Sequence, residues 1–140
     1  MQESGTQVII IYNRSYIDAY PFLWPRSFCP NPWADTMDVP YLLKYLTQHL
    51  AKRPNNCLFV AQAVLTPQTK TILTKPFSNL FKATKSIREA LPAWIDEEAS
   101  KLKPNIIMTD FVSATEIAPI IIALNHSKRQ KWVWAYGLEK

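Results

Sequence analysis

Glycine is nearly missing from this chain: only Gly5 and Gly137 occur in 140 residues, both near the ends. A Walker loop and a dinucleotide fingerprint both need clustered glycines so that the backbone can approach phosphate. Those routes to nucleotide binding are therefore excluded. The same shortage excludes the G-x-S-x-G elbow of a serine hydrolase. Cysteine is as scarce. Cys29 and Cys57 do not build a disulfide scaffold and point to a reduced, intracellular setting. With His49 and His126 they show no zinc-ligand spacing, and no metal or cofactor is expected. No apolar run reaches the roughly 18 residues of a membrane helix. The longest candidate, "IAPIIIAL" at Ile117–Leu124, is broken by Pro119. Met1–Gln7 is polar and the apolar run after it is too short for a signal peptide. The expectation is a cytoplasmic chain with no transmembrane segment and peripheral contact with membrane.

What is abundant is proline beside aromatic rings. "YPFLWPRSFCPNPWADT", Tyr20–Thr36, holds four prolines and two tryptophans. It cannot be a helix and is a poor central strand, because each proline removes a backbone donor. It is also too aromatic for a flexible linker. The net charge of +5 suits an anionic membrane surface, nucleic acid or simple solvation. No zinc finger, basic zipper or RNA-binding aromatic motif accompanies it, so no nucleic-acid partner is expected.

The rest of the chain alternates two patterns. "VIIIY" at Val8–Tyr12, "CLFVAQAVL" at Cys57–Leu65 and "IIMTDFV" at Ile106–Val112 read as strands buried on both faces. After the proline-rich loop, Asp38 is placed to cap a helix with Pro40 in its first turn. Leu42, Leu43, Leu46 and Leu50 give that helix an apolar stripe. A helical region is predicted from about Leu80 to Leu102, in two pieces, with Pro92 in the first turn of the second and Trp94, Ile95, Ala99 and Leu102 on its buried face. Ser113 and Glu116 stand at capping-box spacing before a last helix expected to end near Asn125. The order implies an α/β fold with a parallel sheet, either a small open layer or part of a larger closed barrel.

In parallel sheets function gathers at the carboxyl ends of strands. Asp110, Gln62 and Thr66 qualify. Asp110 is a carboxylate at the end of an apolar strand; it reads as a turn or cap residue, or as a carboxylate that orients a base. Gln62 reads equally as an interior hydrogen-bonding residue or a site residue, and Thr66 as a turn residue. His49 reads as a half-buried flank of its helix. His126 reads as a helix-terminal residue that complements the dipole. "DEE" at Asp96–Glu98 reads as a solvated face.

The segments "VIIIY", "YPFLWP", "PWADT", "FVAQAVLTP", "LPAWI", "NIIMTDFV" and "IALN" together resemble the C-terminal half of the phosphatidylinositol-specific phospholipase C X-domain-containing proteins. The resemblance runs from about Gln7 to Asn125, which defines an expected domain over residues 1–125 and a basic, aromatic tail over 126–140. It implies a partial PLC-like phosphodiesterase TIM (β/α) barrel with parallel strands. It implies a phosphoric diester hydrolase acting on inositol phospholipid at a membrane surface, by general acid/base chemistry of two histidines. Both histidines lie in the family's N-terminal half, which has no counterpart here. A closed barrel takes about 250 residues, so the chain is expected to be a truncated part, inactive alone. The alternative is a non-catalytic fragment that binds phospholipid or a partner. By the resemblance, Asp110 orients the general-base histidine of the missing half. Tyr12, Asp35 and Gln62 are the further candidates for substrate binding, and Trp24 and Trp33 of the proline-rich loop are expected either to contact membrane or simply to cover the barrel rim. Asn13 stands where the family often has histidine, and Asp35 where it commonly has asparagine.

Overall fold

A computed structural model describes residues 8–14, 20–69, 73 and 79–136, with side chains as far as His126. Its strands are short: β1 (Ile10–Tyr12), β2 (Leu23–Pro25), β3 (Val60–Gln62) and β4 (Ile106–Met108). Its helices are α1 (Val39–Ala51), α2 (Leu80–Ala83), α3 (Lys85–Trp94), α4 (Ser100–Leu102) and α5 (Ile117–Tyr136). β1 pairs with β2 and β3 with β4, both parallel. The expected α/β class with parallel strands is therefore present. No closed barrel is formed among the described residues.

The core lies on one face of β3. Phe59, Ala61, Ala63 and Leu65 are buried against Leu42, Leu46 and Leu50 of α1 and Ile87, Leu91 and Trp94 of α3. The intervening Leu58, Val60, Gln62 and Val64 are only half-buried. The predicted burial on both faces is thus corrected to a strand packed closely on one. The α1 cap forms as expected, with Asp38 Oδ1 accepting from Tyr41 N at 2.7 Å. Trp94 Nε1 donates to Thr47 Oγ1 at 2.9 Å and ties α3 to α1.

Four local expectations change. Val8 and Ile10–Tyr12 are exposed rather than doubly buried, Ile10 by 50%, and Ile9 is half-buried. The proline-rich stretch contains β2, and beyond it runs alongside β3. Leu58 N, Val60 N and Thr66 N donate to Phe28 O, Pro30 O and Thr36 O at 2.7, 3.0 and 2.9 Å, a constant offset of thirty residues. Pro30 and Pro32 have no N–H to return, so the pairing stays one-sided and irregular, as prolines at a sheet edge do. Pro92 lies inside α3 rather than opening a new helix. Its missing donor loosens the helical ladder, and a π-turn, Ile95–Ala99, follows at once. This wider turn leaves Ile95 and Ala99 both buried. Finally, Ser113 does not cap the last helix. Val112–Ala114 forms a 3₁₀ turn, and Thr115 Oγ1 accepts from Ile117 N at 3.4 Å instead. That helix runs past Asn125 to Tyr136, so His126 is an interior residue of α5.

Candidate active site at the carboxyl edge

β3 and β4 run parallel with Gln62 opposite Met108. Their carboxyl ends therefore share one edge, and Ala63 N donates to Met108 O at 2.8 Å just beyond it. Asp110 stands two residues past β4, half-buried. No hydrogen bond or ion pair engages its carboxylate among the described residues. The backbone turns sharply here: Phe111 has φ of 53°, a left-handed conformation that is uncommon for an aromatic residue.

The edge carries further unspent hydrogen-bonding capacity. Thr66 Oγ1 beyond β3 and Thr109 Oγ1 beyond β4 are both buried without a partner, as is Arg88 Nη1 of α3. Orphaned buried polar atoms are rare and each costs about 1–3 kcal/mol. The Arg88 guanidinium lies 3.7 Å from the centroid of the Phe81 ring, and its Nη2 donates to Phe81 O at 2.8 Å. Phe81 meets Phe111 edge to face, with centroids 5.2 Å apart. Arg88 and Phe81 thus clamp Phe111, the residue next to Asp110. Sequence reasoning missed Arg88, because nothing in linear spacing links the first half of α3 to the turn after β4, and passed over Thr109, which read as one more residue of the strand.

The other candidates are placed as follows. Gln62 Nε2 donates to Asn31 O at 2.7 Å and so fastens the proline-rich segment to β3. Asp35 is exposed with φ of 47°, a conformation that asparagine and aspartate tolerate best. Its neighbour Thr36 bonds Thr66, which brings Asp35 toward the same edge. Tyr12 is at the carboxyl end of β1, opposite Pro25, on the separate strand pair. Trp24 is half-buried in β2 with its ring 6.0 Å from Phe28, and Trp33 is 47% exposed. His49 is exposed rather than half-buried, its ring 4.2 Å from that of Tyr45. It lines a cleft with Phe59, before β3 begins. His126 follows Asn125, which lines another cleft with Pro104 and Asn105, before β4 begins. His49 is thus associated with the amino end of β3, and neither histidine bonds Asp110 among the described residues. No group of three or more metal-ligating side chains occurs among the described residues, and no helix there is long and apolar enough to cross a membrane.

Comparison with curated proteins finds clear relatives. The chain is 36% identical over 128 residues to PI-PLC X domain-containing protein 2 of Mus musculus, covering 88% of this chain and 37% of that relative. It is 31% identical over 127 residues to PI-PLC X domain-containing protein 3 of Mus musculus, covering 89% and 40%. It is 44% identical over 71 residues to PI-PLC X domain-containing protein 2 of Homo sapiens, covering 50% and 23%. The chain therefore spans about two-fifths of the length of the first two relatives. No family model matches it, and no solved structure does. The resemblance carried by its strand and loop segments is that of true relatives.

Proposed function

We propose, from kinship with the PI-PLC X domain-containing proteins, that this chain supplies part of a phosphoric diester hydrolase site for inositol phospholipids. It would form the C-terminal half of a PLC-like barrel, with Asp110 as its positioning carboxylate. One observation carries the reading: Asp110 lies just past the carboxyl end of a parallel strand, half-buried and unpartnered among the described residues. That is the edge where α/β folds gather their chemistry.

In the mechanism that the family resemblance implies, one imidazole takes the proton of the inositol 2-hydroxyl, whose oxygen attacks phosphorus. A second imidazole protonates the departing diacylglycerol oxygen. A carboxylate behind the first accepts its ring N–H, holds the tautomer and stabilises the imidazolium. Its place past β4 and its carboxylate, unpartnered among the described residues, support that last role for Asp110. His49 lines a cleft before β3 and neither histidine bonds Asp110 among the described residues, so the chain brings no base to Asp110 and is inactive by itself. Trp33 and Phe22, both exposed, are the side chains offered to a lipid interface, while Trp24 is half-buried.

The test is release of inositol phosphate from phosphatidylinositol vesicles by the full chain. No release above the lipid blank is expected. Release that vanishes in Asp110→Asn would show a complete enzyme and overturn the expected inactivity. Release unchanged in Asp110→Asn would remove Asp110 from the site.

A further inference from the structure

A second cleft opens before β3, near the end of the molecule opposite Asp110. Its volume is about 340 Å³, and its lining includes Arg26, Asn31, His49, Lys52, Arg53 and Phe59. Small-ligand pockets fall in the range of roughly 300–1,000 Å³. Three obligate cations and an imidazole converge here, and no aspartate or glutamate lines the cleft. The one ion pair among the described residues joins Lys85 to Glu89 on α3, so Arg26, Lys52 and Arg53 have no carboxylate partner. Like charges gathered in a concave site repel one another and focus the field on an incoming anion.

The helix dipole accounts for only part of this. His49 and Lys52 sit at the C-terminal end of α1, where cations are favoured. Arg26 comes from a different element, the 3₁₀ turn after β2. Arg53 is held by Nη1, which donates to Lys103 O at 2.6 Å, and this bond fixes its guanidinium. The wall carrying Asn31 is fixed as well, through Val60 N to Pro30 O at 3.0 Å and Gln62 Nε2 to Asn31 O at 2.7 Å. Proline on both sides of Asn31 further limits its motion. Arg53 and the Asn31 wall are therefore preorganised, which lowers the entropic cost of binding, while Arg26 and Lys52 are exposed side chains that must order on the ligand.

We propose that this cleft binds a phosphate monoester, as a phosphorylated lipid headgroup or a free phosphorylated small molecule, through Arg26, Lys52 and Arg53. Arginine forks match phosphate oxygens bidentately, and lysine adds a point charge. The site stands apart from Asp110 and does not depend on Asp110 taking part in catalysis.

The test titrates the full chain with inositol 1,4,5-trisphosphate, and with phosphatidylcholine vesicles carrying either phosphatidylinositol 4,5-bisphosphate or phosphatidylserine at equal charge. Binding of the trisphosphate, and its competition with the bisphosphate vesicles, is expected. Vesicles bound at least tenfold more tightly would assign the lipid headgroup; equal or weaker vesicle binding would assign the free ligand. The double variant Arg26→Glu, Lys52→Glu should lose at least tenfold in affinity while its urea midpoint holds. Asp110→Asn should bind as the parent does, which separates this site from the catalytic reading. Unchanged binding in the double variant would overturn the proposal. So would no trisphosphate binding, phosphatidylserine vesicles binding equally without trisphosphate competition, or single-stranded nucleic acid displacing the trisphosphate at lower concentration than unlabelled trisphosphate does.

Discussion

The two strand pairs of this protein are built alike and treated differently. β1–β2 and β3–β4 are both parallel and three residues long on each side. In β3, Ala61 is fully buried, whereas Ile10 of β1 is 50% exposed. Composition alone would rank them the other way, since "VIIIY" is the more β-branched and apolar. The difference is what lies against each. α1 and α3 cover one face of β3 with leucine, isoleucine and tryptophan, while no residue of β1 joins that core. Strand propensity describes fitness for a half-buried pleat; it does not supply the layer that buries it.

Substitutions can break or sharpen this contrast. The largest effect is expected for Leu46→Ala, which empties a fully buried position behind β3 and should cost about 2–5 kcal/mol in urea unfolding. A loss below about 1 kcal/mol would mean that the core is loose. A smaller effect is expected for Gln62→Ala, which leaves Asn31 O without its donor. It should cost about 1 kcal/mol and increase amide exchange in the segment after β2, with α1 unaffected. Uniform exchange changes would show that Gln62 does not act on that segment. The smallest is expected for Ile10→Thr on exposed β1, within about 0.5 kcal/mol of the parent. A loss as large as that of Leu46→Ala would show that β1 is covered in solution.

The carboxyl and amino ends of the layer give a second contrast. At one end are Asp110 and the orphaned Thr66 and Thr109 hydroxyls. At the other are Arg26, Lys52 and Arg53. Of the first, Asp110 was legible because an aspartate at the end of an apolar strand is conspicuous in a linear reading. The second was not. Lys52 and Arg53 read as the polar end of a helix, and Arg26 as one charge in an aromatic loop. They become neighbours only through the thirty-residue offset that lays the proline-rich segment beside β3.

By itself the sequence determined the order of the main elements, the parallel character of the sheet, the cap and stripe of α1, and the position of Asp110 at a strand end. Each follows from local rules: side-chain period, capping chemistry and the length of chain between strands. Only the tertiary structure decided that VIIIY would be exposed, that Pro92 would be absorbed by a π-turn, and that the proline-rich stretch would become an edge to β3. Those outcomes depend on which surfaces meet. A proline removes a donor wherever it sits, but only a neighbouring strand decides whether that donor was needed.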